Sequence, residues 1–226
     1  MGAGIAAFRP PGSKLRSILQ HFAAGVVFSV VAAELLPDII KEHNAPATAI
    51  GFALGVATML GIKKLTGVAE VTPAEVAETM PENVSTAMLF AIGVDILVDG
   101  FLIGIGFSAG AKEGKLLTLA LTIELLSLGL ALASSMTKAK MTKVRIIGIV
   151  AALATLILVG AGLGTTVLQS FSKEALEVVL SFGLAALLFL VTEELLVEAH
   201  EEPETPLITS TFFAGFLLFL ILGIAV

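Results

Sequence analysis

Apolar residues gather into seven stretches of this 226-residue chain, roughly 17–37, 46–65, 84–110, 116–136, 144–168, 174–199 and 206–226. A helix advances about 1.5 Å per residue and needs about 20 mostly apolar residues to cross the hydrocarbon of a bilayer. Each stretch meets that length. Composition points the same way: 57% of the chain is AVILMFWYC and only 14% is charged, about half the usual charged share. So few charges leave a soluble domain unable to cover its own surface. The expected fold class is therefore all-α, a polytopic membrane helix bundle of about seven transmembrane helices, with residues 1–226 forming a single domain and the lipid bilayer as first partner. Cysteine is absent, which excludes disulfides, thiolate metal sites and Cys nucleophiles together. Trp and Tyr are absent too, so 14 Phe carry all the aromatic surface. A net charge of −6 with scattered Lys and Arg argues against nucleic acid as a partner.

The breaks between stretches carry turn and cap chemistry: Pro10-Pro11-Gly12, Asn44-Ala45-Pro46, Pro81-Glu82-Asn83, Lys112-Glu113-Gly114, Pro203 and Pro206. Residues 1–16 read as a short N-terminal segment without the charged n-region of a signal peptide. The one long connection is 62–83. Within it, Thr72-Pro73-Ala74-Glu75 has capping-box spacing with Pro at the first helical position, which predicts a short surface helix ending before Pro81. Lys and Arg in the loops set orientation. The side of the N-terminal segment collects Arg9, Lys14, Arg16, Lys63, Lys64, Lys138, Lys140, Lys143 and Arg145, against Lys41, Lys112, Lys115 and Lys173 opposite. That asymmetry makes the N-terminal segment cytoplasmic, in a protein expected in the cell (plasma) membrane.

The informative residues are acids inside the apolar runs: Glu34, Asp95, Asp99, Glu124, Glu193 and Glu194, with Asp38 and Glu198 nearer the ends. An ionised side chain near a bilayer centre costs roughly 2.5–3.5 kcal/mol on insertion scales, so such acids face the bundle interior. Every Lys and Arg lies in a loop or at a helix end, and His21, His43 and His200 are also terminal, where solvated surface is the expected role. Without internal basic partners the acids are expected to be protonated, hydrated or neutralised by a cation from outside the chain. Glu34/Asp38, Asp95/Asp99 and Glu194/Glu198 share an i, i+4 step, which turns both acids of each pair to one helix face. Glu124 and Ser127 stand at i, i+3 on a further helix. Four helices thus offer oxygen ligands to a common interior. Pro37 is expected to free a backbone carbonyl near Ala33 as one more.

A weak internal repeat accompanies these acids. Phe22 to Asp38 overlays Phe182 to Glu198 at a constant offset of 160, matching at Phe22/Phe182, Val31/Val191, Glu34/Glu194, Leu35/Leu195 and Leu36/Leu196. Paired halves with ligands at the midplane are a common transporter plan. Gly100, Gly104, Gly106 and Gly110 form small-xxx-small steps that allow close backbone packing.

Together these segments resemble the ZIP (Zrt/Irt-like) family of divalent-metal transporters over most of the chain. The run from His21-Phe22-Ala23-Ala24-Gly25-Val26 to Glu34-Leu35-Leu36-Pro37-Asp38 resembles that family's second helix, and Phe182 to Glu198 with Ala199-His200-Glu201-Glu202 its seventh. Asp95-Ile96-Leu97-Val98-Asp99-Gly100 and Ile123-Glu124-Leu125-Leu126-Ser127 stand where the fourth and fifth helices carry their ligand motifs. The resemblance implies a binuclear metal site at Asp95, Asp99, Glu124, Ser127 and Glu194, with Glu34 near the pathway. It also implies a divalent metal ion as substrate, zinc in the family. The chain departs from the pattern where Asp95, Ile123 and Ser127 replace ligand histidines and Ile96 replaces Asn. The loop 62–83 has no His, and only Met1 to Phe8 stand where the family's first helix belongs, leaving seven spans of its eight.

Oxygen ligands without His or Cys suit hard ions such as Mg²⁺, Mn²⁺ or Ca²⁺ over zinc or copper. The expected function is ZIP-like transport of a divalent metal cation by alternating access, without enzymatic activity. Protons are competitors for the same acids, and a homodimer is a candidate assembly. The alternative is a transport-inactive ZIP-derived membrane protein that binds metal or a partner. Structural acids hydrogen-bonded between helices are the plain reading of the same residues. An intramembrane aspartyl protease fits poorly, because Asp95 and Asp99 lie on one helix and Gly93-Val94-Asp95 lacks the expected Gly-x-Gly-Asp setting.

Overall fold

The structure, a computed structural model, describes residues 13–66, 86–168, 172–200, 203 and 205–225. Among them there is no strand. The helices are α1 (Ser13–Val30), α2 (Leu36–Glu42), α3 (Ala45–Thr66), α4 (Thr86–Ala109), α5 (Ala111–Lys138), α6 (Lys143–Leu168), α7 (Lys173–Phe189), α8 (Leu196–Ala199) and α9 (Pro206–Ala225). Two π-helical turns, Val31–Leu35 and Leu190–Leu195, join α1 to α2 and α7 to α8. Six described spans are long and apolar enough to cross a membrane: Ser17–Glu42, Ala45–Lys64, Ile92–Ala109, Lys143–Thr166, Lys173–Leu195 and Pro206–Ala225. The apolar stretch 116–136 lies on α5, which is helical over 28 residues. Large apolar side chains such as Leu54, Ile147, Leu158, Phe213 and Ile224 are exposed, as lipid-facing surface requires. The chain is an all-α, polytopic integral membrane protein. The short helix expected around residues 72–80 lies outside the described residues, as does the N-terminal stub.

Helix ends fall where local chemistry stops or starts them. His43, at φ 54°, ends α2 in the left-handed conformation, and Asn44 Oδ1 accepts from Ala47 N at 3.3 Å to cap α3. Ser172 accepts from Ala175 N at 3.3 Å ahead of α7, and Thr205 from Ile208 N at 3.3 Å ahead of α9. Pro46 and Pro206 sit in the first turns that follow, where their missing N–H costs nothing.

The offset-160 repeat is visible in the backbone. Both copies change to a π turn at equivalent positions, with Leu36 N–H donating to the Val31 carbonyl and Leu196 N–H to the Val191 carbonyl. Glu34 and Glu194 take equivalent places within them. Val197 stands where the first copy has Pro37, so the wide turn does not depend on proline. The repeat also continues into the next helix, matching Pro46/Pro206, Phe52/Phe212, Gly55/Gly215 and Leu60/Leu220. These following helices are exchanged: α9 packs on α1 and α3 on α7. A Cβ at Gly215 would collide with the Phe22 carbonyl, and one at Gly55 with the Phe182 carbonyl, the same contact under the repeat. Where Gly51 meets the Val178 carbonyl, its counterpart Thr211 donates from Oγ1 to the Ile18 carbonyl at 3.3 Å.

Between the two copies, α4 packs on α6 through Gly100, Gly104, Gly160 and Gly164, each facing backbone of the other helix. The close approach expected of the α4 glycines is therefore present. Gly100 lies about 100° around the helix from Asp99, so the glycine face turns to α6 while the acids turn to α5.

Candidate metal centre

Asp95, Asp99 and Glu124 come together where α4 meets α5, with one carboxylate oxygen of each within 4.8 Å of the others. Asp99 is 2% exposed and Glu124 5%, while Asp95 is half-buried. The Asp99 and Glu124 carboxyls face one another across the contact of α4 with α5. Asp99 Oδ2 is buried with no hydrogen-bond partner among the described residues. The buried Ile96 and Leu102 on α4 and Leu121 on α5 keep the surroundings apolar. α4 has no Lys, Arg or His, and on α5 the nearest are Lys115 and Lys138, more than two turns away along the helix.

Coulomb repulsion decides what this cluster needs. Two carboxylates no more than 4.8 Å apart repel by about 3 kcal/mol or more at an effective dielectric near 20. Three ionised pairs then cost about 10 kcal/mol, comparable to the whole stability of a domain. A proton shared within the cluster relieves part of this, and a divalent cation more. With the oxygens no more than 4.8 Å apart, an ion at the centre lies at most about 2.8 Å from each, and side-chain shifts of under about 1 Å reach the roughly 2.0–2.6 Å of oxygen-ligated Mg²⁺ or Ca²⁺.

The other acids are placed differently. Glu34 is not in this group: it pairs with Lys112 at 3.4 Å, its side chain 10% exposed. Gly223 makes room for it, since a Cβ there would crowd Glu34 Oε1 at 2.5 Å. Glu194 sits half-buried in the second π turn, also outside the group. Glu193 pairs with Lys63 at 3.1 Å, and Asp38 with Lys41 at 2.7 Å. Ser127 lies on α5 one turn beyond Glu124, with its side chain outside the described residues. The expectation that intramembrane acids lack basic partners is thus corrected for Glu34 and Glu193. Lysines at helix ends reach in along their long apolar stems. Their position within a turn or so of a helix terminus was the available signal.

The histidines also divide. His43 and His200 are exposed, but His21 is 2% exposed, not the solvated residue its helix-end position suggests. It is covered because the end of α8 folds over the start of α1, where Ser17 Oγ donates to the Ala199 carbonyl at 2.8 Å.

Fold and site define a polytopic membrane helix bundle with a cluster of three carboxyl groups, two of them buried. The chain matches no model of a known protein family, and a comparison with curated proteins finds no match.

Proposed function

We propose that this protein carries a divalent metal cation across the membrane, with Asp95, Asp99 and Glu124 as the core of its binding site, in the manner of a divergent ZIP-like transporter. The observation that carries the reading is the convergence of three carboxylates from two helices in an apolar interior. The ligand set is all oxygen and favours a hard ion such as Mg²⁺ or Mn²⁺, with zinc retained as the substrate the resemblance implies. The resemblance adds Ser127 and Glu194 as further ligands and puts Glu34 near the pathway.

Seven crossings are the reading that helix-end contacts support. The start of α1 meets the end of α8, the end of α3 meets the second π turn, and these mark one face. The first π turn meets the start of α5, and the start of α3 meets the start of α7 through Thr48 and Glu177 at 3.4 Å, marking the other. α5 then starts on one face while α6 starts on the other, so α5 crosses as well. With nine of 13 Lys and Arg on the α1-start side, that face is cytoplasmic. The two repeat copies are then inverted, the arrangement on which alternating access is commonly built.

Uptake of Mn²⁺ or Mg²⁺ into proteoliposomes tests the assignment. Asp99→Ala with Glu124→Ala abolishes uptake; full activity in that double variant sinks the site. The Glu34–Lys112 pair favours a second reading, a metal-binding protein that no longer transports, because an ammonium already occupies an acid on the route. Saturable metal binding with no uptake by the unmodified chain decides for it.

A further inference from the structure

Glu177 is a carboxyl group that the transport reading does not use. It lies just over a turn into α7, 5% exposed, in the seam where α3 meets α7. Thr48 faces it from α3, with Oγ1 at 3.4 Å from Glu177 Oε1. The same Oγ1 stands 3.2 Å from the Asn44 carbonyl. A threonine hydroxyl has one hydrogen, so it donates to one of these acceptors and not to both. Both distances also exceed the roughly 2.5–3.0 Å usual between a hydroxyl and its acceptor. Thr118, Thr122 and Thr192, which likewise reach the carbonyl one turn earlier, do so at 2.7, 2.6 and 2.9 Å.

One turn deeper, Ser181 is fully buried, and its Oγ has no hydrogen-bond partner among the described residues. Gly51 fixes its place in the same seam, since a Cβ on Gly51 would stand 2.9 Å from Ser181 Cβ. Glu177 and Ser181 share a face of α7 at i, i+4, and Thr48 and Gly51 share a face of α3 at i, i+3. Among the described residues no lysine or arginine pairs with Glu177. Lys173, one turn earlier on α7, is exposed. The seam therefore gathers oxygens around a buried carboxyl that has no countercharge.

We propose that the Asn44 carbonyl, Thr48, Glu177 and Ser181 bind a monovalent cation, sodium, which ties the start of α3 to α7 at a site distinct from the carboxylate cluster. Oxygen ligands alone suit a hard ion. One carboxylate neutralises one charge, and a divalent ion would leave an uncompensated charge in an apolar seam. Size fits as well. Sodium has about the radius of calcium, whose bonds to oxygen run roughly 2.3–2.6 Å, so ligands at right angles stand about 3.3–3.7 Å apart. The Thr48 spacings of 3.2 and 3.4 Å lie at the short end of that range, too wide for good hydrogen bonds and close to a coordination edge. The site is one-sided. Under the offset of 160, the positions equivalent to Thr48, Glu177 and Ser181 are Ile208, Ser17 and His21. The contact of α1 with α9 thus has no carboxyl there, and Ser17 closes an ordinary bond to the Ala199 carbonyl at 2.8 Å.

Equilibrium dialysis of the full-length, detergent-solubilised protein against radiolabelled sodium, with a chelator to remove divalent ions, tests this. Saturable binding of a single ion per chain is expected, and the thermal unfolding midpoint rises as sodium replaces choline at constant ionic strength. Glu177→Gln, which keeps a polar group against Thr48 and leaves the carboxylate cluster untouched, abolishes both effects. Ser181→Ala, which leaves the carboxyl in place, weakens affinity about threefold to tenfold. No saturable binding by the parent chain, or parent affinity in either variant, overturns the site and leaves a protonated carboxyl between two helices. Dialysis does not depend on uptake, so this result stands or falls apart from the transport assignment.

Discussion

The acids of α4 and α5 and the acids of the two π turns share residue type and apolar surroundings, yet they differ in what answers their charge. Glu34 and Glu193 each have a lysine from a helix end, at 3.4 Å and 3.1 Å. The carboxyls of Asp95, Asp99 and Glu124 have one another. Depth explains the difference. Glu34 lies eight residues before the helix end at Glu42 and Glu193 six before that at Ala199, inside the reach of a lysine stem from a neighbouring helix end, whereas Asp99 and Glu124 sit ten or more residues from either end of α4 and α5. A site more than two turns along the helix from the lysines of α5 is one that a foreign cation can occupy without displacing their ammonium groups.

The largest test of this contrast is a single neutralisation in each group. Asp99→Asn is expected to cost uptake more than the roughly 10–100-fold lost when an outer-shell partner is removed at metal sites. A loss of under tenfold, measured as initial rate in proteoliposomes, would put Asp99 among structural acids. Next comes Lys112→Met, which strands a carboxylate that is 10% exposed. Breaking a fully buried pair costs about 3–5 kcal/mol; with the lysine 38% exposed, about 1–3 kcal/mol is expected as lost thermal stability in detergent. Glu34→Gln in the same chain is expected to restore it, and failure of that rescue would show that Glu34 needs its charge for something other than Lys112. The smallest effect belongs to Lys63→Met. Its pair with Glu193 is 34% and 49% exposed, and Lys63 also lies 5.7 Å from the Phe189 ring. Surface pairs contribute about 0–1 kcal/mol, so the unfolding midpoint is expected to stay within about 2–3 °C of the parent; a larger fall would make this pair a structural lock.

Much of the fold was legible along the chain. Six of the seven expected crossings are described helices long and apolar enough to span a membrane, and the seventh stretch lies on α5, because length and hydropathy are local properties that no tertiary contact alters. The pairing of Asp95 with Asp99 was legible for the same reason, since an i, i+4 step fixes a shared face on any helix. The glycine contacts of α4 followed from residue size. The repeat was faint in sequence, because apolar residues exchange freely against lipid and erode identity. Its backbone signature, two π turns and a glycine against a phenylalanine carbonyl in each copy, needed three dimensions.

The amino-acid sequence by itself determined that this chain is a helical membrane bundle with carboxylates in its interior, since those conclusions depend only on length, periodicity and the cost of charge in hydrocarbon. Which acids meet was decided by tertiary structure: Glu124 joins Asp95 and Asp99 because α4 turns its glycines to α6 and its acids to α5. The lysines of Glu34 and Glu193 and the end of α8 that covers His21 come from helices distant in sequence, and helix–helix packing, unlike helical periodicity, has no one-dimensional period from which to read it.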